Sequence, residues 1–529
     1  MAELSPFVTQ NWQITKPPAS GRRGIAVAQA KAAAEAGLAI LDAGGNAVDA
    51  AVATGFALAV VEPWNSGLGG IGFALIHPAG ADRAEVVDFG PRAPAGLDPS
   101  RFPLTGRMKQ DLFAWPEVVD DANIHGPLSF AIPATVAGYA AMHKRWGRLP
   151  WPEIIAPALA LARRGLPADW FTTLKIANAA AILRRYPESA RIYLPNGLPP
   201  VAPYQGTPGF LALGRLSETL ERLQRVGAED FYRGEIAAAI AADVAAMGGV
   251  LSAADLATTA ARIGPAMEVV YHGRAWQLAG GLTAAPTLAR VLARLEGSPR
   301  GAAPDAAWFV ALAGALRAAY AERLAGLGEG EVPRIAQEGS AESCTTHLTV
   351  CDEAGGMVAM TSTLLSSMGS RVVLPETGIL MNNGVMWFDP RPGQPNSIAP
   401  GKRPLTNMCP VIIRDGARPM LAAGGSGGRR IMAAVAQMLT FVTDFAMTPM
   451  DAAHQPRIDV SDAETVHADR RLPATVLAAL AEAGPVEIVE HAVLPINFAC
   501  PNLIEARADG LRCGISDVQS PWSAALAQG

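Results

Sequence analysis

Thr345-Thr346-His347-Leu348-Thr349-Val350 and Met357-Val358-Ala359-Met360-Thr361-Ser362-Thr363, joined by Asp352-Glu353-Ala354-Gly355-Gly356, read as two β-branched strands around an acidic, glycine-containing turn. A hairpin centred on Ala354 sets Thr345 opposite Thr363 on one face, at its open end. Threonine is also an ordinary strand former, so the pair suits a structural role as well as a chemical one.

Outward from this hairpin the last third of the chain continues as short strand-like runs at 378–381, 411–413 and 420–423, followed by one long helix at 429–441. The first two-thirds has a different texture. Residues 26–41 are Ala-rich with an apolar face and read as a helix stopped by Gly44-Gly45. Asn46 is placed as the N-cap of a second helix, with Asp49 in its first turn and an end before Pro63. Residues 73–76 and 85–89 read as strands, and 128–330 read mainly as helices, for example 151–164, 216–226 and 235–247. A proline-rich stretch at 186–210 interrupts them. No repeat of fixed period is visible. The pattern predicts one α/β body in which helices from the first two-thirds cover a sheet completed by the last third.

Composition narrows the class. Of 529 residues 50% are hydrophobic and 17% charged, which excludes a mainly disordered chain. The net charge of −5 without a basic run argues against nucleic acid and anionic membrane as partners. The most apolar stretch, 50–61, is too short to span a bilayer, and the start, Met1-Ala-Glu-Leu-Ser-Pro-Phe, lacks the features of a secretory signal, so a cytoplasmic location is expected. The five cysteines (Cys344, Cys351, Cys409, Cys500, Cys513) form no C-x-x-C pair and the histidines no metal-binding pair; reduced thiols, no metal and no cofactor are expected.

Two glycine clusters carry alternatives. Gly67-x-Gly69-Gly70-x-Gly72 precedes a strand instead of following one, the reverse of a dinucleotide motif, which leaves a tight turn or the wall of an active site. Gly424-Gly425-Ser426-Gly427-Gly428 lies between a strand and a helix, where its amides can face a negative charge. It lacks the Lys-Ser/Thr ending of a phosphate loop. A close turn and an oxyanion hole of backbone N–H groups both remain open.

Taken in order, Gly44-Gly45-Asn46-Ala47-Val48-Asp49-Ala50-Ala51, Val61-Glu62-Pro63, Ser66-Gly67-x-Gly69-Gly70-x-Gly72-Phe73, Thr345-Thr346-His347, Gly378-Ile379-Leu380-x-Asn382-Asn383, Pro400-Gly401-Lys402-Arg403-Pro404-Leu405 and Gly427-Gly428 resemble the γ-glutamyltranspeptidase (glutathione hydrolase) family over nearly the whole chain. The resemblance implies an N-terminal-nucleophile hydrolase: a four-layer αββα sandwich, made as one precursor that cuts itself before a threonine. The matching position is the Cys344–Thr345 bond, giving a large chain of residues 1–344 and a small chain of 345–529 that remain in one body. It further implies that Thr345 is the nucleophile, that Thr363 positions it, and that the Gly427 and Gly428 amides stabilise the tetrahedral oxyanion. The freed α-amino group, with a pKa of about 7.7–8.0, would be the base.

The substrate positions depart from the family. Members acting on γ-glutamyl groups hold the α-carboxylate with an arginine in Asp-Phe-Arg and with a Ser-Ser pair, and the α-amino group with Asn, Glu or Gln, and Asp. Here these positions read Asp88-Phe89-Gly90 with Arg92 two residues on, Thr406-Asn407, Leu365, Gly384 and Trp387. Loss of the carboxylates disfavours a zwitterionic substrate, because an unpaired buried ammonium is costly. A small carboxylate-bearing amide of the oxamate type, or another acyl amide, is expected instead, with Arg92, Arg371, Arg403, Arg429 and Arg430 as candidate carboxylate ligands. Residues 389–400 fall where relatives carry a lid, an ordinary surface loop being the alternative. Two other readings compete: an authentic γ-glutamyltransferase, and an unprocessed homologue that only binds. Partners are expected to be a small-molecule amide and the two chains of one precursor, with a homodimer of the processed unit left open.

Overall fold

A computed structural model describes residues 12, 14–109, 113, 115–298, 300–326, 343–494 and 496–529. The opening stretch 1–7, read above for a signal, lies outside them. Two seven-stranded antiparallel sheets stack face to face between helical layers. The hairpin sheet runs in the order Ala524–Ala527, Ile25–Ala28, Ser343–Cys351, Met357–Ser366, Ile71–His77, Glu85–Phe89, Arg262–Pro265. Its companion runs Ala19–Gly21, Arg512–Ser516, Cys500–Ala506, Arg418–Ser426, Val411–Asp415, Arg274–Leu278, Met267–Tyr271. This is the αββα arrangement expected.

Alternation along the hairpin assigns its two faces. Leu348, Val350, Val358 and Met360 join the apolar layer beneath the helices. Cys351, Met357 and Ala359 join Ile412, Ala422 and Ile504 between the sheets. The same parity sends His347, Thr361 and Thr363 towards the companion sheet.

Helix Ala47–Val61 lies over the hairpin sheet and is buried along its length, which suits a segment apolar all round. Its Asn46 side chain accepts from the Val48 and Asp49 amides while Asp49 accepts from the Asn46 amide, the cap expected from the sequence. Helix Ile431–Phe445 packs on the companion sheet. Among the described residues no helix is long and apolar enough to cross a membrane.

Several elements differ from expectation. Residues 26–41 split into strand Ile25–Ala28 and helix Lys31–Asp42; alanine carries no periodic mark, and pairing to Leu348–Cys351 and Ala524–Ala527 decides the strand. Three strands, Arg262–Pro265, Met267–Tyr271 and Arg274–Leu278, replace helix in the middle of the chain, two of them held by partners far away in sequence. Residues 378–381 form isolated bridges to Gly69 and Val373, not a strand. The long helix begins at Ile431 because a short 3₁₀ turn, Gly428–Arg430, precedes it.

Candidate active site

The hairpin ladder holds the expected register from Thr346↔Ser362 to Cys351↔Met357 and then slips, with Cys344 opposite Leu365. Thr345 sits in this bulge, a device that re-aims a side chain at a strand end. Its hydroxyl donates to Thr363 Oγ1 at 3.2 Å. Thr363 donates in turn to the Cys344 carbonyl oxygen at 2.6 Å and accepts from the Leu365 amide at 2.8 Å. Both threonines are buried, at 5% and 0% exposure. The carbonyl before Thr345 is thereby polarised by one hydroxyl while the adjacent hydroxyl lies within the same hydrogen-bonded chain.

The flanking side chains are uncharged or held. His347 is bonded through Nδ1 to Thr361 Oγ1 at 2.8 Å, and burial pushes its pKa down to about 3, so it is a neutral spacer between the sheets and not a base. Thr346 points to the helix side and donates to Glu62 Oε2 at 3.0 Å. Burial pushes that carboxyl up to about 7. Sequence reasoning quoted Glu62 within a motif but gave it no role.

The Gly427–Gly428 turn follows strand Arg418–Ser426 and packs against strand Ser343–Cys351. Gly427 has φ +137° and Gly428 φ +60°, and a side chain at Gly427 would lie 2.6 Å from Ala499 Cα. Only glycine fits there without strain. The Gly67–Gly72 cluster forms a wall: a side chain at Gly70 would meet the Thr363 carbonyl oxygen at 2.7 Å.

The substrate positions are divided. Of them, Trp387 and Asn407 line one cavity with Phe113, Trp115, Arg323, Asp389, Arg391, Asn396, Leu405 and Arg429, whereas Leu365, Thr406 and Gly384 lie in the wall of neither cavity. Thr345 is not in the wall of the first; Arg429, which lines it, is the residue after Gly428. Arg92 lines a separate cavity with Asp88, Gly90, Thr258, Arg262 and Arg403, and donates to Thr258 Oγ1. Arg403 ion-pairs with Asp88 at 2.6 Å and reaches the space a side chain at Gly90 would need. Arg371 donates to Ser366 Oγ and the Gly369 carbonyl, and Arg430 to the Ile496 carbonyl. Thr406 spends its hydroxyl on the Leu282 carbonyl. A side chain at Gly384 would run into Ala131 Cβ at 2.5 Å, so this backbone has no room for Glu or Gln there.

Residues 389–398 close on themselves through Asp389–Ser397 pairing and supply Gln394, Pro395 and Asn396 to the cavity wall. Among the described residues three guanidinium groups line this cavity. Arg391 is paired with Asp389 at 2.5 Å. Arg323 is buried on four neutral acceptors (the Thr283 and Thr406 carbonyls, Thr287 Oγ1 and Asn407 Oδ1), and burial lowers its pKa only to about 10. Arg429 lies over the Phe113 and Trp115 rings. Among the described residues the buried indole nitrogens of Trp387 and Trp115 have no acceptor. Arg323, Phe113 and Trp115 escaped the sequence reading, because only the fold brings them beside Trp387.

The γ-glutamyltranspeptidase model matches residues 33–342 and 332–521, and the chain belongs to that family, whose members are N-terminal-nucleophile hydrolases. It is 31% identical over 505 residues to the acylase ACY 1 proenzyme of Pseudomonas sp. (strain V22), covering 89% of this chain and 88% of that one. It is 28% identical over 527 residues to the glutathione hydrolase proenzyme of Bacillus subtilis (strain 168), covering 88% and 87%. Its fold is shared with the crystal structure of cephalosporin acylase from Bacillus halodurans, at a TM-score of 0.86 and 22% identity over 100% of this chain and 99% of that one.

Proposed function

We propose that the chain is a self-processing amidohydrolase in which Thr345 performs two acyl transfers. In the first, Thr345 Oγ attacks the Cys344 carbonyl carbon, its proton passing to the departing amide nitrogen. That shift leaves the Thr345 amine free and the Cys344 acyl group as an ester on Oγ; water hydrolyses the ester, releasing the Cys344 carboxylate and restoring the Thr345 hydroxyl. In the second, that amine takes the hydroxyl proton as Thr345 Oγ attacks a substrate amide, the Gly427 and Gly428 amides receive the oxyanion, and the amine product leaves with the proton. Water then cleaves the acyl-enzyme. The observation that carries this reading is the unbroken chain from Thr345 Oγ1 through Thr363 Oγ1 to the Cys344 carbonyl.

For the substrate, the cavity beside Gly428 favours a small amide bearing a carboxylate over a γ-glutamyl group. Among the described residues its carboxylate, Asp389, is neutralised by Arg391, while Arg323 and Arg429 bring positive charge to the wall and the Trp387 indole N–H has no acceptor. The acylase relatives support an acyl amide as substrate class.

Denaturing mass analysis tests the first claim. Fragments breaking before Thr345 are expected from the native sequence and none from Thr345→Ala, which should also lack all turnover; cleavage surviving the substitution refutes the assignment. For the second, monoamides of dicarboxylic acids should be turned over faster than γ-glutamyl-p-nitroanilide, and Arg429→Gln should raise their KM about tenfold or more. Efficient γ-glutamyl transfer to dipeptides would favour the transferase reading instead.

A further inference from the structure

The turn after helix Ala47–Val61 is hydrogen-bonded to the residues next to Thr345 and Thr363 and, through Gln29, to the residue before Gly427. Glu62, the helix C-cap, is 2% exposed and accepts from Thr346 Oγ1, the residue following the nucleophile, at 3.0 Å. Asn65 hydrogen-bonds the same carboxyl, its backbone carbonyl accepts from the Leu364 amide, next to Thr363, at 3.0 Å, and its Nδ2 donates to Gln29 Oε1 at 3.4 Å. Buried Gln29 donates onward to Ser426 Oγ at 2.5 Å, and Ser426 immediately precedes Gly427. One continuous polar path therefore starts beside Thr345, passes beside Thr363 and ends beside the Gly427–Gly428 turn, crossing from one sheet to the other.

Two features argue that this path has a task beyond filling space. A fully buried carboxyl is expensive at this depth, and Lys175 is the charged group that acts on it; a neutral side chain would satisfy one threonine hydroxyl at lower cost. The path also joins groups whose separation matters within fractions of an ångström, since acyl transfer needs the hydroxyl and the oxyanion donors in fixed register. We propose that Glu62 is a positioning residue which, through Thr346 on one side and through Asn65, Gln29 and Ser426 on the other, fixes the nucleophile relative to the oxyanion turn. This rests on the reading of Thr345 as nucleophile.

The test uses the full-length protein. Glu62→Ala should slow both self-cleavage and kcat about tenfold or more with KM within about twofold of the native value, and Glu62→Gln, which keeps an acceptor for Thr346, should recover most of that loss. Ser426→Ala cuts the path at its far end without touching Glu62, and a fall of about fivefold in kcat is expected from one lost hydrogen bond. If Glu62→Ala fails to fold, Ser426→Ala decides the matter alone. Native kcat in these variants with only a lowered melting temperature, or a loss confined to KM, overturns the proposal. Thr345→Ala run in parallel separates the two readings. Residual turnover there removes the nucleophile assignment, whereas an inert Thr345→Ala beside fully active Glu62→Ala and Ser426→Ala removes only the role of Glu62.

Discussion

Leu365 is buried at φ +87°, a left-handed conformation that costs a bulky residue roughly 1–3 kcal/mol and that asparagine tolerates better. The chain retains a leucine there although the resemblance places an asparagine at this position, which trades backbone ease for an apolar wall two residues from Thr363. Glu62 shows a second local cost. Its carboxyl is raised from an ordinary 4.5 to about 7 by burial, so the native state prefers the protonated form more strongly than the unfolded chain does. The stabilising contribution is therefore complete below about pH 4.5 and is lost as pH rises through about 7, a difference of about 3 kcal/mol. In the uncleaved Thr345→Ala protein the melting temperature should fall between pH 5 and pH 8. Adding Glu62→Gln should remove most of that slope. An equal slope in both proteins would mean that Glu62 does not titrate in this range.

At the scale of elements, the two sheets meet over a contact only glycine permits. A side chain at Gly424 would lie 2.2 Å from the His347 ring, so strand Arg418–Ser426 reaches the hairpin because this position has no Cβ. Gly424→Ala should lower stability by about 1–3 kcal/mol, read as a drop of several degrees in thermal unfolding, with turnover reduced because the Gly427–Gly428 turn follows directly on this strand. An unchanged melting temperature would show that the stack has slack. The elements that the sequence made legible share a physical reason: their signals are local. The Asn46–Asp49 cap, the helix ending before Pro63 and the hairpin register around Ala354 each depend on residues a few positions apart. Strands Ile25–Ala28 and Arg262–Pro265 were hidden because distant partners decide them. The site divides in the same way. Thr345 and Thr363 were legible as a cross-strand pair, though the bulge that aims Thr345 was not. The cavity lined by Arg323, Trp115 and Trp387 draws on residues up to 272 positions apart, and no spacing in the sequence announces it.

At the scale of the molecule, the division proposed at Thr345 runs through both sheets, not between two domains. In the hairpin sheet Leu348–Cys351 pairs with Ala28–Ile25, Met357–Thr363 with His77–Ile71, and Ala524–Ala527 with Ala28–Ile25. In the companion sheet Val411–Arg414 pairs with Leu278–Ala275, and Arg512–Gly514 with Gly21–Ala19. Both sheets are thus built from strands of residues 1–344 and 345–529 together, and separating the chains would break five ladders and expose the apolar layer between the sheets. Cutting one peptide bond removes none of those contacts. Processed protein should therefore elute from a native sizing column as one species containing both fragments, and should resolve into chains of 344 and 185 residues only in denaturant. Elution of the two fragments apart under native conditions would contradict this interleaving. An undivided chain in denaturant would mean no cut, and fragments of other lengths a cut elsewhere, so this single measurement tests both the fold and the position of Thr345 within it.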